Sequence, residues 1–470
     1  MGRRYLVVSD LHLADVEDHP DGWKAFKGSR YVFDEAFEAL IDRFVTDADD
    51  GDRLSVVLNG DIVDFDVVTA TPENPPWPVS RFERHRGLKA TAEKSIWKLE
   101  LVLSHHRRLV RALARFVAAG HRLVYVLGNH DREFHFPGVQ QALVRALERA
   151  ASEQGLSLAT GTVRFEPWFF YVRDRLYVEH GHQYDLYTSY TYQLSPTVTV
   201  QGEQCLAIPM GNLSNRYLMT RMGYFNPHAS DYILNVYRYV AHWVRHYMFS
   251  RRGMLIHWLW GSVLVILMVL RNKRRQRESR SEHEKQLQRV ARRHDLNQQE
   301  LVALAQLQPE PIASRVFRLL RELWFDRVLI CLLMTGGAVA LALVQIPLWI
   351  KLMVPLTCFP LVYFLYEELA RGETIFTLER AIPERAREVA SILPARVVAF
   401  GHTHSPRQIP LSRETVFVDT GTWAPIMDKK NPGDLKPGLR NYLMVAFHRN
   451  DVRVEYGSWT DGADVAVQQP

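Results

Sequence analysis

The chain has 470 residues, longer than one average domain, and 47% of them are apolar, enough for a sizeable core. Its net charge of +6 is not spread evenly, since Arg271 to Arg293 holds ten Lys/Arg against three Glu. Cys205, Cys331 and Cys358 are the only cysteines, which excludes a disulfide framework and a thiolate zinc site.

The N-terminus, "MGRRYLVVSDLHL", enters a strand pattern at once. It lacks the long apolar core and small-residue cleavage site of a secretory signal, so the N-terminal part is expected in the cytoplasm. Four short apolar runs follow: "RYLVVSD" (4–10), "LSVVLNGD" (54–61), "RLVYVLGNHD" (122–131) and "RLYVEHGH" (175–182). Helical periodicity lies between them, at about 32–46 and 93–119. Strands alternating with helices predict an α/β domain with its chemistry at the carboxyl ends of the strands. The segment "SRFERHRGLK" (80–89) holds Arg81, Arg84 and Arg86, either a cap for a substrate phosphate or a solvated helix face.

From 186 to 394 the chain changes character. Apolar segments occupy 254–270, 328–350 and 352–366, the first flanked by Arg251–Arg252 and the basic run, the last two separated by Lys351. A membrane span needs roughly 20 apolar residues, which 328–350 meets alone. Strand patterns resume at 396–404, 415–423, 442–448 and 452–459, and read as the closing strands of the same sheet. The expected organisation is a domain in two parts, 1–185 and 395–470, interrupted by a helical insertion, 186–394.

Five clusters stand just past apolar strands: "SDLH" (9–12), "NGDIVD" (59–64), "GNHD" (128–131), "EHGH" (179–182) and "GHTH" (401–404). Each alone is weak, because an Asp at a strand end is often a cap and a lone His is usually structural. Together they supply carboxylates, an amide and imidazoles without thiolate, a donor set suited to Mn²⁺, Fe or Zn²⁺.

The ordered set D-x-H, G-D-x-x-D, G-N-H-D, H-G-H and G-H-x-H resembles the calcineurin-like metallophosphoesterases over roughly 1–185 and 395–460. The resemblance implies a four-layer αββα sandwich, here interrupted by a mostly helical, membrane-associated insertion. It implies two divalent ions, Mn²⁺ foremost, with Asp10, His12 and His404 on one, Asn129, His180 and His402 on the other, and Asp61 bridging. Such a pair makes a water nucleophilic and clamps the phosphoryl oxygens. His130 fits a proton donor to the leaving oxygen, with Asp131 as its orienter. Asp64 is expected to orient a ligand histidine, and His182 to touch substrate or support His180. Asp419 reads as a turn residue. Phe65 stands where Ser/Thr phosphatases of this superfamily carry Arg, which argues against that activity. "SDLHL" is similar to the UDP-2,3-diacylglucosamine pyrophosphatase branch, which carries Arg where His130 stands.

A site built from residues on both sides of the insertion requires an even number of membrane crossings. The sequence therefore suggests a hairpin of 328–350 and 352–366 turning near Lys351, spanning or, since 352–366 is short and holds Pro355 and Pro360, stopping short of the far leaflet, with 254–270 in the interface, the basic run on anionic lipid and the catalytic part on the cytoplasmic side. The expected substrate is a phosphate ester or pyrophosphate, either lipid-linked or, if the insertion only anchors the chain, a soluble phosphodiester. A nuclease would use the basic run as its footprint, but the run has no aromatic residues.

Overall fold

The computed structural model describes residues 2–49, 51–200, 202–224, 226, 244, 254–275, 279–369, 375–427, 435–448, 451–460 and 463–466. The flanking Arg251–Arg252 and part of the basic run, 276–278, lie outside the described residues. In chain order the strands are β1 (Arg3–Val8), β2 (Arg53–Asn59), β3 (Arg122–Val126), β4 (Val163–Glu166), β5 (Phe169–Val172), β6 (Leu176–Glu179), β7 (Thr197–Val200), β8 (Glu203–Leu206), β9 (Val397–Phe400), β10 (Arg407–Pro410), β11 (Val416–Asp419), β12 (Ile426–Met427), β13 (Leu435–Lys436), β14 (Asn441–His448), β15 (Asp451–Thr460) and β16 (Ala463–Ala466).

Two mixed sheets dominate. The first has the order β16-β15-β14-β1-β2-β3-β4, with β1 to β4 parallel and β14 to β16 antiparallel along one edge. The second has the order β10-β11-β9-β6-β5, with β6, β9 and β11 parallel. The four C-terminal patterns thus divide between the sheets rather than closing one. Apolar alternation marks a strand but not its sheet.

Strand alternation builds the layers. Tyr5 and Val7 of β1 face Leu176, Val178 and Val397 of the other sheet, while Leu6 and Val8 face helices. Those helices, Asp34–Thr46, Ala92–His105, Arg107–Ala118 and Pro137–Ser152, bury an i, i+3, i+4 stripe on the first sheet. On the far side of the second sheet lie Arg280–His294, Gln298–Gln306 and Ile375–Ile392, through Val290, Leu304, Ala386 and Val389. The result is helix, sheet, sheet, helix. Its fourth layer comes from chain that the sequence reading counted with the insertion.

The periodic run 93–119 is two helices, broken at His106. The His106 ring is buried and meets Asp34 Oδ1 at 2.8 Å and the Ala14 carbonyl at 3.1 Å. That pair of bonds fixes a non-helical backbone at the break.

The apolar segments differ in kind. Met254–Arg275 packs Val265 and Val269 against Leu213, Tyr217 and Leu319, and exposes Trp260 and Leu267 on its other side. Phe325–Leu343 and Leu348–Leu369 form an antiparallel pair in which no side chain is buried, and both are long and apolar enough to cross a membrane. Their turn is 344–347, a few residues before Lys351, which lies in the first turn of the second helix. Pro347 disfavours a helical residue before it, and the Lys351 ammonium folds back to the Ala342 carbonyl at 2.7 Å. Pro355 and Pro360 sit inside the second helix. At the base, Arg327 holds Glu367 through two bonds of 2.6 and 3.0 Å, and Tyr366 donates to Asp326.

The basic run is also divided. Residues 271–275 finish one helix, whereas 280–293 lie on the sandwich, where Arg293 donates to the Phe165 carbonyl at 2.9 Å and meets Glu166 at 3.3 Å. Because nothing in the hairpin is buried, replacing 329–365 by a short Gly/Ser linker above the Arg327–Glu367 clasp should leave the thermal midpoint within a few degrees of the parent. Loss of the cooperative melt, followed by circular dichroism, would contradict that independence.

Candidate metal centre

Five loops meet where the two sheets come together. They follow β1, β2 and β3 of the first sheet and β6 and β9 of the second, all leaving the carboxyl ends of parallel strands. Their backbones are tied to one another. Asp10 N donates to the Gly60 carbonyl (3.0 Å), His12 N to that of Asp61 (2.9 Å) and Gly401 N to that of His180 (3.0 Å). The His402 N–H reaches both oxygens of Asp10, at 3.2 and 3.1 Å.

Half of the ten non-glycine residues with positive φ, among the described residues, belong to this site. They are Asp10 (53°), His12 (48°), Asp61 (52°), His402 (70°) and His404 (57°). Each such backbone costs on the order of 1–3 kcal/mol and persists where surrounding structure enforces it. Two glycines allow the approach. A Cβ on Gly60, itself at φ 76°, would strike the His180 ring, and one on Gly128 would strike the Asp61 carboxylate.

Ligand atoms of Asp10, His12 and His404 lie within 4.8 Å of one another, and so do those of Asp61, His180 and His402. In the first group His12 Nε2 and His404 Nε2 are 3.1 Å apart, and His404 Nε2 is 3.2 Å from Asp10 Oδ1. In the second His180 Nε2 is 3.1 Å from Asp61 Oδ2, while His180 Nδ1–H donates to the Asn59 carbonyl at 2.9 Å. That bond leaves Nε2 with its lone pair, as a metal ligand requires. Asp61 also forms a third group with His12 and His130, so its carboxylate is within reach of both halves.

The residues fit two cations. Imidazole nitrogens converge with carboxylate oxygens, and Asn129 Oδ1 is buried without a hydrogen-bond partner. His402 Nε2 faces Asp185 Oδ2 at 3.1 Å, which leaves Nδ1 as the donor to an ion. Electrostatics agree. Burial alone would raise the Asp61 carboxyl, but His180, His130 and His12 hold it well below the usual range. Burial would lower His180, yet Asp61 and Asp10 bring it up to about 9, so the same lone pair attracts a proton or a cation.

His130 adjoins the first group, its ring 4.9 Å from that of His12. Its Nδ1 lies 3.0 Å from Asp64 Oδ1 and 3.6 Å from Asp66 Oδ2. Burial opposes its charge, but Asp64 and Asp61 win and lift it to about 10; a bound cation nearby would lower it. Asp64 also places Oδ2 3.4 Å from His12 Nδ1, so one carboxylate faces both rings. Asp131 does not face His130. Its carboxylate accepts from Gly128 N (2.6 Å), Ile62 N (2.9 Å) and Tyr125 OH (2.9 Å), tying the Asn129 loop to the Asp61 loop. The His182 ring is 5.4 Å from that of His180, and its Nε2 lies 2.9 Å from Gln183 Nε2. Buried Asp419 accepts from Thr403 Oγ1 (2.6 Å) and Gly421 N (3.2 Å), the second a turn contact.

Besides Asp66, four residues that the sequence did not single out reach this site. Asp185 and Thr188 face His402; Asn212 and Asn215, from the helix Met210–Tyr217, face Asn129 and His130. The i, i+3 pair of asparagines in "GNLSN" was the available signal.

The sequence profile of the calcineurin-like phosphoesterases matches residues 3–240, just over half of the chain, and the chain belongs to that family. Members are metal-dependent hydrolases of phosphate esters that use two divalent ions. No curated protein matches the chain.

The arginines of 80–89 lie on a short helix, Arg81–Arg86. Arg81 and Arg84 are exposed, and Arg86 donates to the Tyr217 carbonyl at 3.1 Å. The segment is held by Glu83, which accepts from Lys94 Nζ (2.5 Å), Ser80 N (3.0 Å) and Lys89 N (3.1 Å) while Ser80 caps the helix. Burial pushes the Glu83 carboxyl up, but Lys94 and the backbone donors outweigh it and bring it to about 2. The folded value lies below the unfolded one, so this contribution to stability is complete above the usual Glu range and disappears as pH falls toward 2. Glu83→Gln should therefore flatten the decline of the thermal midpoint between about pH 5 and pH 3. An unchanged acid limb would contradict the assignment.

Proposed function

We propose that the protein is a membrane-associated phosphoesterase that hydrolyses a lipid-linked phosphate ester or pyrophosphate with two divalent cations. The observation that carries it is the pair of donor groups drawn from both ends of the chain around Asp61. Asp10, His12 and His404 would hold one ion, Asn129, His180 and His402 the other, and Asp61 both. When bound, such a pair supplies a hydroxide near neutral pH and offsets charge on the phosphoryl oxygens. Mn²⁺ suits the oxygen-rich share of the set, with Fe or Zn²⁺ as alternatives.

The chain's own residues do the rest. His130, held at Nδ1 by Asp64, presents Nε2 as proton donor to the leaving oxygen. Asp131 keeps the loops of Asp61 and Asn129 in register. Asp185 and Thr188 orient His402, and His182 packs against His180.

The membrane reading rests on the unburied helices Phe325–Leu343 and Leu348–Leu369. At 1.5 Å per residue they measure about 28 and 33 Å, near the thickness of a bilayer core. Paired, they give an even number of crossings. Charged groups collect at the clasped base, with Arg327 and Glu367 closing it on the side of the catalytic unit. Met254–Arg275 exposes Trp260 and Leu267 and ends in basic residues, which supports an interfacial position beside anionic lipid on the cytoplasmic face. "SDLHL" is the feature that points toward the UDP-2,3-diacylglucosamine pyrophosphatase branch, and His130 in place of Arg is the departure from it.

Metal-reconstituted protein should hydrolyse at least one class among phosphomonoesters, phosphodiesters and nucleotide-linked pyrophosphates. Asp61→Ala should cost more than about 100-fold, above the 10–100-fold of an outer-shell change. Activity that survives this substitution refutes the mechanism. In vesicles containing anionic lipid, a lipidated substrate should turn over faster than its soluble counterpart, and the chain should co-float with the vesicles through residues 329–365. Equal turnover of the two substrates rules out the lipid-linked assignment.

A further inference from the structure

The helix Met210–Tyr217 is wedged against the membrane-side elements. Leu213 and Tyr217 share an apolar cluster with Val265, Val269, Leu319 and Leu323. From a neighbouring face of the helix Asn212, fully buried, reaches the site. Asn212 Nδ2 donates to Asp66 Oδ2 at 2.8 Å, and Asn129 Nδ2 donates to Asn212 Oδ1 at 3.2 Å.

The polarity of this chain of bonds is fixed at one end. Asp66 is gripped by buried Arg132 through Nη1 to Oδ2 (2.9 Å) and Nη2 to Oδ1 (2.5 Å), so it is a carboxylate and can only accept. Asn212 must therefore turn its NH₂ to Asp66 and its oxygen to Asn129. Asn129 must then turn its own NH₂ to Asn212, which leaves Oδ1 as the atom facing the site, buried and without a hydrogen-bond partner. An amide rotated by 180° would offer an ion an NH₂ group, which has no lone pair to give.

We propose that Asn212 is a positioning residue: it sets which face of the Asn129 amide meets the second ion. Through it the segment that carries the hairpin helps determine the affinity of that position. The inference rests on the two-ion reading above and goes beyond it by adding a residue from outside the ligand motifs.

The test is a Mn²⁺ titration of the full chain, followed by electron paramagnetic resonance and metal analysis after equilibrium dialysis. Four proteins are compared: parent, Asn212→Leu, Asn129→Asp, and the double variant. The parent should bind two Mn²⁺. Asn212→Leu, branched at the same carbon but apolar, should weaken one of the two ions by 10–100-fold, the range of an outer-shell change, and spare the other. A carboxylate at 129 offers an oxygen whichever way it turns, so adding Asn212→Leu to Asn129→Asp should cost less than about threefold. A role in packing alone predicts the same loss in both backgrounds. Equal losses, or no loss in Asn212→Leu alone, overturn the proposal. If Asn212→Leu fails to give a folded circular dichroism spectrum, Asn212→Ala replaces it in both backgrounds under the same criteria. A parent that binds fewer than two ions overturns the two-ion reading as well.

Discussion

The carboxylate of Asp61 is the contact on which the rest depends. His130 N donates to one of its oxygens at 2.7 Å, and His180 Nε2 approaches the other at 3.1 Å. For donors from both sheets to crowd around one carboxylate, the loops must reverse direction within a residue or two of their strands. The left-handed backbones at Asp10, His12, Asp61, His402 and His404 are how they do so. Strain of that kind is sustained by what surrounds it, here the cross-loop bonds from Asp10, His12 and Gly401 and the carboxylate of Asp131.

A second constraint follows from having two sheets. An exposed outer face on the second sheet would leave Phe169, Tyr177, Phe400 and Phe417 in water. Helices from the long segment between β8 and β9 cover it. The segment thus has two physical duties. Part of it completes the sandwich with ordinary buried stripes, and part carries an apolar surface that the protein leaves bare. The helix Met210–Tyr217 touches both worlds, with its asparagines facing Asn129 and His130 and its leucine and tyrosine against Met254–Arg275.

Much of this was readable from the residues. Apolar runs ending in Asp, Asn and His announced β1, β2, β3, β6 and β9, because a strand buried on both faces has few ways to be spelled. The clusters of candidate ligands were visible because their donor types agree. What the sequence withheld were properties set by distance. It did not say that 416–419 and 442–448 belong to different sheets, since both are simply apolar. It ran Ala92–His105 into Arg107–Ala118, since the break depends on His106 finding Asp34 from another helix. It paired Asp131 with His130 by adjacency, whereas the fold turns Asp131 toward Ile62 and gives His130 to Asp64. It joined 280–293 to the other basic residues by charge, although Val290 and His294 bury that helix on the sandwich.

The order of the strands along the chain has a temporal consequence. β9 lies between β6 and β11 in the second sheet, and His402 and His404 follow it directly. On a ribosome, both helices of the hairpin are complete before either histidine has been added. At about 5–20 residues per second the lag is on the order of seconds. The nascent polypeptide therefore carries its bare apolar arm for seconds before the two imidazoles that complete the candidate centre have been added.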